Sequence, residues 1–221
     1  MESPALFSMR LSLEVASLAT LLVVLVGVGI AYLLATFRFR GKEVLDVLLT
    51  LPLVLPPTVT GFFLVVLFGR KGLLGKPLYE LTGWTVMFTW QAAVIASFVV
   101  ALPLMVKTAR AAIESVDSAL IQASYTLGHS KTATALRVVL PLAGKGIFAG
   151  AVLSFARALG EFGATLMIAG NIPGRTDTMP LAIYSLASSG EWERAGWMAA
   201  FFTAVSAGLL YAANRSAGRT I

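Results

Sequence analysis

Long apolar runs are the feature that most constrains the fold of this chain. Four runs of 20 residues or more, 15–37, 47–69, 81–106 and 195–214, carry no charged side chain, and a fifth, 146–170, carries two. A helix needs about 20 apolar residues to cross the hydrocarbon core of a bilayer. We therefore predict an all-α membrane protein with five transmembrane helices, at about 12–37, 45–69, 84–106, 146–170 and 195–214.

The composition supports lipid as the main solvent of the chain. Apolar residues make up 57% of the 221 positions, charged residues make up 13%, and the mean hydropathy is +0.84. The apolar segment 179–190 is too short to cross and suits an interfacial or re-entrant segment, although a six-span arrangement would include it. No linker rich in serine or glycine divides the sequence, so we predict one transmembrane domain over residues 1–221.

The distribution of basic residues predicts the orientation, because cytoplasmic loops carry an excess of lysine and arginine. With the N-terminus outside, six cations lie in outer segments: Arg10, Arg70, Lys71, Lys76, Arg175 and Arg194. Ten then lie inside: Arg38, Arg40, Lys42, Lys107, Arg110, Lys131, Arg137, Lys145, Arg215 and Arg219. The asymmetry favours an outer N-terminus, an inner C-terminus and a cytoplasmic segment at about 107–145.

Several function classes are excluded by what the sequence lacks. There is no cysteine and one histidine, His129, so disulfides and clustered metal ligands are ruled out. Gly75-Lys76 and Gly144-Lys145 lack the rest of a phosphate-binding loop, and no catalytic serine–histidine pair is visible in the membrane. We therefore predict no catalytic residue, metal or cofactor. The net charge of +6 reflects basic loops rather than nucleic-acid binding.

The second apolar run contains a cluster of prolines. Pro52, Pro56 and Pro57 remove three backbone donors, so the helix is expected to bend or unwind there. Lipid does not satisfy freed carbonyls, so the bend is predicted to face the bundle interior. Thr58 and Thr60 could bond those carbonyls or a passing solute. Pro56, Pro57, Thr58 and Thr60 are thus candidates for a translocation path, and a kinked packing helix is the equally weighted alternative.

Two charged residues lie within the fifth apolar run. Arg157 and Glu161 are four residues apart, so on a helix they would share one face and could pair. A charge near the bilayer centre costs about 2.5–3.5 kcal/mol, so neither side chain is expected to face lipid. Arg157 could serve an anion path, with Glu161 weakening its attraction for the anion. The alternative, a neutral pair that fixes helix packing, is the favoured reading of these two residues alone.

The predicted cytoplasmic segment contains a short helix with an apolar face. Leu120, Ala123 and Leu127 recur at helical spacing, which indicates a helix whose apolar face packs against a partner. Gly128 is predicted to end this helix in a left-handed turn, a conformation that costs glycine nothing.

Gln122-Ala123-Ser124, then Gly128, then Leu140-Pro141 resemble the motif by which ABC importer permeases dock on their ATPase subunits. Gln122 stands where the family often has glutamate, so it keeps hydrogen bonding but lacks the charge. Four further blocks resemble molybdate permeases: 51–57, 68–72, 156–165 and 170–176. Sulfate permeases share part of the 157–173 stretch.

The resemblance implies a type I importer permease in the cytoplasmic membrane of a prokaryote. Its implied partners are a second copy of the chain, two cytoplasmic ATP-binding subunits that hydrolyse ATP, and an extracytoplasmic molybdate-binding protein. The implied coupling residues are Gln122, Ala123, Ser124, Leu127, Gly128, Leu140 and Pro141. The implied substrate is molybdate, with tungstate close to it and sulfate or thiosulfate as the alternative. A channel or secondary transporter without an ATPase is the rival class.

Overall fold

The computed structural model describes residues 3–218, without the side chains of 214 and 216–218, and this part of the chain contains helices and no strand. Arg219, counted above among the inner cations, lies outside the described residues. The α-helices are α1 (Pro4–Thr36), α2 (Lys42–Val54), α3 (Pro57–Phe68), α4 (Gly75–Thr82), α5 (Trp90–Glu114), α6 (Ser118–Thr126), α7 (Lys131–Thr134), α8 (Leu140–Leu142), α9 (Gly144–Leu159), α10 (Gly163–Ala169), α11 (Met179–Ser188) and α12 (Trp192–Gly218). A π-helical stretch, Ala135–Val139, joins α7 to α8.

Helices α1, α5 and α9 pack together as the centre of the bundle. Their contact faces carry small side chains, such as the fully buried Ala16 and Ala19 of α1 and Ala96 of α5. A Cβ atom added to Gly27 would lie 2.9 Å from Met105 Cγ, so α1 and α5 approach closely. Lipid removes the hydrophobic drive for helix association, and close packing of small residues takes its place.

Three of the five predicted spans are single helices. α1, α5 and the Trp192–Ala213 part of α12 are long and apolar enough to cross a membrane. α1 begins at Pro4, earlier than predicted, because Ser3 Oγ accepts a hydrogen bond from Leu6 N and Pro4 occupies the first turn. α5 begins at Trp90, later than predicted, because Thr89 caps it in the same way.

The predicted span at about 45–69 is broken. α2 and α3 are bent by 118° where Leu55 and Pro56 leave the helix. With 1.5 Å of rise per residue, each part is roughly 20 Å long or less, and neither crosses the core alone. The prediction of a bend at the prolines is confirmed.

The predicted span at 146–170 and the segment before it also differ from expectation. α9 ends at Leu159, and α10 begins at Gly163 after a three-residue break. On the other side, Lys131–Leu142 is helical and joins α9 through a 69° bend at Ala143. If each bent pair is one span, the chain has up to five candidate spans. The short segment after position 178 forms a helix of 10 residues, α11.

An ion-pair network ties α2 to the end of α5. Asp46 of α2 accepts hydrogen bonds from Lys107 Nζ at 2.7 Å and from Arg110 Nη1 at 3.2 Å. Arg110 Nε also donates to Glu114 at 2.7 Å. Because α5 leads directly into α6, the α1–α2 turn lies at the same end of the bundle as the predicted coupling helix.

Candidate coupling segment and translocation path

The predicted helix that ends at Gly128 is present as α6. Asp117 caps its start by accepting a hydrogen bond from Ala119 N at 2.8 Å. At its end Gly128 has φ +83°, Gly128 N donates to Tyr125 O at 2.9 Å, and His129 N donates to Ser124 O at 3.2 Å. These two bonds form a Schellman motif, which needs a left-handed residue at the glycine position. The predicted left-handed turn is confirmed.

The apolar face of α6 is exposed, as its spacing predicted. Leu120 is 48% exposed and Leu127 is 78% exposed. Together with Ala123 they form one wall of an open groove, whose other wall includes Arg137 and Pro141. Gln122 is exposed, and Leu140 is half-buried and packs against the core. Four of the seven predicted coupling residues, Ala123, Ser124, Leu127 and Pro141, therefore line one groove, and Gln122, Gly128 and Leu140 are not among its lining residues.

Ser124 lies at the floor of this groove and is only 4% exposed. Its hydroxyl lies 2.9 Å from Thr134 Oγ1 and 3.1 Å from His129 Nδ1. We call these three residues the clasp, because they fix α6 to α7. The clasp was not predicted from the sequence, since a histidine in a polar loop is ordinarily solvated, and Thr134 belongs to no motif. The Ser124 hydroxyl is thus used in contacts within the segment.

The predicted break at the proline cluster lies against a second break, between α9 and α10, that was not predicted. α3 packs on α10, and a Cβ atom added to Gly163 would lie 2.8 Å from Pro57 Cβ. One added to Gly61 would lie 2.7 Å from Met167 Cβ and 2.9 Å from Ala164 Cα. Glycine at both positions therefore permits the approach of the two broken helices. Gly61 was not singled out from the sequence, although a glycine one turn after a proline cluster was the available signal.

Arg157 and Glu161 pair across the second break. Arg157 Nη1 lies 2.9 Å from Glu161 Oε2, and the side chains are 30% and 1% exposed. Glu161 Oε1 also accepts a hydrogen bond from Ala164 N at 2.8 Å, so one carboxylate holds the end of α9 and the start of α10. The predicted pairing is confirmed. The shared helical face is wrong, because α9 ends at Leu159, before Glu161.

The proline cluster exposes more surface than predicted. Pro56, Pro57 and Thr58 are exposed on the single chain, so its own helices do not enclose the bend. Thr60 is 4% exposed, and its hydroxyl has no hydrogen-bond partner among the described residues. Of the two alternatives for Thr60, a hydrogen bond to a freed carbonyl is therefore not formed. Its side chain points into the packing between α3 and its neighbours, while Thr58 remains open to a solute or a second chain.

The loop between α10 and α11 is joined to α1 by hydrogen bonds that were not predicted from the sequence. Asp177 accepts from Gly174 N at 2.8 Å and from Ser8 Oγ at 3.1 Å. Met179 N donates to Ser12 Oγ at 2.8 Å. The two bonds to Ser8 and Ser12 join positions more than 160 residues apart, and they fix the loop at the predicted outer end of α1.

Comparison with known proteins assigns the fold and the family. The family model for the inner membrane component of binding-protein-dependent transport systems matches residues 17–218. The chain belongs to this family. It is similar to the molybdenum transport system permease protein ModB of Escherichia coli (strain K12), with 49% identity over 80% of this chain and 77% of the relative. It is 44% identical to a putative molybdenum permease, YvgM of Bacillus subtilis, over 81% of this chain and 79% of that one.

Solved ABC importers have the same fold as this permease. A bacterial transporter that imports alginate matches with a TM-score of 0.81 at 16% identity, covering 99% of this chain and 80% of that one. The MetNI methionine transporter matches with a TM-score of 0.77 at 15% identity, covering both chains fully. The predicted all-α type I permease fold is confirmed.

The clasp of this permease gives a direct prediction. Ser124→Ala and Thr134→Val should each lower the thermal stability of the purified permease and its transport, because each leaves the other buried hydroxyl short of a partner, a cost of about 1–3 kcal/mol. The double variant should lose less than the sum of the two. Thr126→Val is the matched control, since Thr126 Oγ1 donates to Ala123 O on the exposed side of α6. Strictly additive losses would contradict the clasp.

Proposed function

We propose that this chain is the translocating subunit of a molybdate importer driven by ATP. The observation that carries the proposal is the 49% identity to a permease named for molybdenum transport, over four-fifths of the chain. Tungstate presents nearly the same tetrahedral set of oxygens and is proposed as a second substrate. The working assembly is a homodimer of the permease, two cytoplasmic ATPase subunits that hydrolyse the ATP, and an extracytoplasmic binding protein that delivers the anion.

The coupling segment supports a mechanical role. The groove lined by Leu120 and Leu127 offers an ATPase subunit an apolar surface, and Gln122 is a second exposed residue of the same helix. The clasp fixes α6 to α7, and Lys131–Leu142 continues through the 69° bend into α9, whose last turn carries Arg157. A displacement of α6 by the ATPase would thus move α7 to α9 together and shift the break between α9 and α10. Rigid-body motion of packed helices is a common form of switching.

The translocation path is proposed to lie where the two breaks meet and to be closed by the second permease. Pro56, Pro57 and Thr58 are exposed there on the single chain, and Arg157 keeps part of its surface free. A conducting site has to bind its ion weakly enough to release it. One arginine per subunit, partly neutralised by Glu161, meets this requirement for a dianion, and tight recognition is left to the binding protein.

Disruption of the gene should abolish high-affinity molybdate uptake and the activity of molybdenum-dependent enzymes. External molybdate at about 1 mM should restore those enzymes by entry through weak, nonspecific carriers. Sulfate uptake in the same cells is the control and should not change. A disrupted strain that needs a reduced sulfur source while its molybdoenzymes stay active would assign the chain to sulfate or thiosulfate instead. Failure of an ATPase subunit to purify with the permease would favour the channel or secondary-transporter class.

We propose an outer N-terminus and a cytoplasmic coupling segment, on the basis of the ten-to-six basic asymmetry. The chain has no cysteine, so single cysteines report orientation without background. An impermeant thiol reagent should label Lys71→Cys in intact cells. It should label Thr132→Cys only after the cells are permeabilised. Both positions are exposed and cap no helix. The opposite labelling pattern would invert the orientation.

A further inference from the structure

The turn between α1 and α2 forms a basic pocket that neither coupling nor translocation uses. The pocket has a volume of about 360 Å³, and its lining residues are Arg38, Phe39, Gly41, Lys42, Glu43 and Val44. Gly41 has φ +89° and reverses the chain, so that α2 begins at Lys42 beside the end of α1. No described side chain caps the first turn of α2. Lys42 N donates to Phe39 O at 3.4 Å, which leaves the N–H groups of Glu43 and Val44 available at the pocket.

The cations of this turn are not neutralised by the protein. Among the described residues no carboxylate forms an ion pair with Arg38, Arg40 or Lys42, and residues 38–43 carry a net charge of +2 because of Glu43. Lys42 Nζ donates to Phe37 O at 3.5 Å, which keeps its ammonium group over the turn. Lys107 and Arg110 nearby differ, since both pair with Asp46. The turn is therefore the more electropositive part of this end of the bundle.

An apolar surface adjoins the charged pocket. Phe37 and Phe39 are 46% and 40% exposed, and Leu33 and Val44 are 40% and 63% exposed. Leu33 and Phe37 lie at the end of a 33-residue apolar helix, and Val44 begins the exposed apolar face of α2. A ligand that fits both features has an anionic head and a hydrocarbon tail. A soluble oxyanion would use the pocket and leave the apolar wall uncovered.

We propose that the α1–α2 turn is a binding site for the phosphate headgroup of an anionic phospholipid. Arg38, Lys42 Nζ and the N–H groups of Glu43 and Val44 hold the phosphate diester, and the acyl chains lie against Leu33 and Val44. Phosphate at a helix N-terminus is favoured by both the free N–H groups and the helix dipole. Asp46 joins α2 to Lys107 and Arg110 at the end of α5, so the bound lipid supports the helix that leads into the coupling segment.

The test uses the full-length permease purified in detergent and titrated with phosphatidylglycerol or phosphatidylcholine, with bound lipid counted by native mass spectrometry. Phosphatidylglycerol should bind more tightly. Each lysine or arginine near the membrane surface contributes about 1 kcal/mol to binding of anionic lipid, so Arg38→Gln combined with Lys42→Gln should weaken phosphatidylglycerol binding about 30-fold. Arg38→Lys, which keeps the charge, should bind like the parent.

Arg70→Gln combined with Lys71→Gln is the charge-matched control, because both residues are exposed cations at the α3–α4 turn. This control variant should bind phosphatidylglycerol like the parent. If it loses as much affinity as the Arg38→Gln, Lys42→Gln variant, the lipid is attracted by surface charge in general and the proposed site is wrong. Equal binding of the two lipids to the parent would also overturn it. If labelled inorganic phosphate binds the parent without lipid and does not bind the variant with Arg38→Gln and Lys42→Gln, the ligand of this site is a soluble oxyanion and the lipid proposal is wrong.

Discussion

Replacing Glu161 with alanine should reduce the folded yield and uptake of the permease more than replacing Arg157 and Glu161 together. The single change leaves the Arg157 guanidinium without its partner at 2.9 Å and leaves Ala164 N without its acceptor. Loss of one partner from a buried pair costs about 3–5 kcal/mol, and the figure belongs at the lower end here because Arg157 keeps 30% exposure. The double variant has no unpaired guanidinium, so its remaining loss of stability comes from the missing hydrogen bond of Ala164 N.

Glu161→Gln separates the two roles of the carboxylate. Glutamine keeps an oxygen that can accept from Ala164 N but carries no charge for Arg157, so this variant should fall between the parent and Glu161→Ala in thermal stability. Folded yield is measured by size-exclusion chromatography and uptake in reconstituted vesicles. If the losses of Arg157→Ala and Glu161→Ala simply add in the double variant, the pair is not coupled and its place in the path is wrong.

Gly128→Val should abolish or sharply reduce ATP-driven uptake while the permease still inserts in the membrane. Gly128 has φ +83°, and a Cβ atom there would meet nothing within 4 Å, so the cost comes from the backbone alone. A left-handed conformation costs a residue with a side chain roughly 1–2 kcal/mol, and a β-branched residue more. Valine would therefore unwind the Schellman motif and displace the apolar face of α6.

Two other variants isolate that cause. Gly128→Asn should keep much of the uptake, because asparagine tolerates the left-handed conformation. Gly29→Val is the matched control, since a Cβ atom at Gly29 also meets nothing within 4 Å and its φ is not positive. Binding of the ATPase subunit and uptake are measured for all three. Full uptake by Gly128→Val would rule out the ordered end of α6 as part of the coupling.

The sequence by itself determined the features that depend on neighbouring residues. Apolar length predicted α1, α5 and α12, the proline cluster predicted the bend after α2, and helical spacing predicted the exposed apolar face of α6. The positive φ at Gly128 belongs to the same group. Each of these follows from backbone sterics or from a period of 3.6 residues, and both act within one or two helical turns.

Tertiary structure alone decided which distant groups meet. The size of the bend between α2 and α3, the burial of Thr60, the Ser124–Thr134 contact and the packing of Gly163 on Pro57 are examples. A local pattern states which face of a helix is apolar but not which helix lies against it. That choice depends on the fit of small residues between helices. The same holds for Glu161, whose second role as the cap of α10 arises because α9 ends two residues before it.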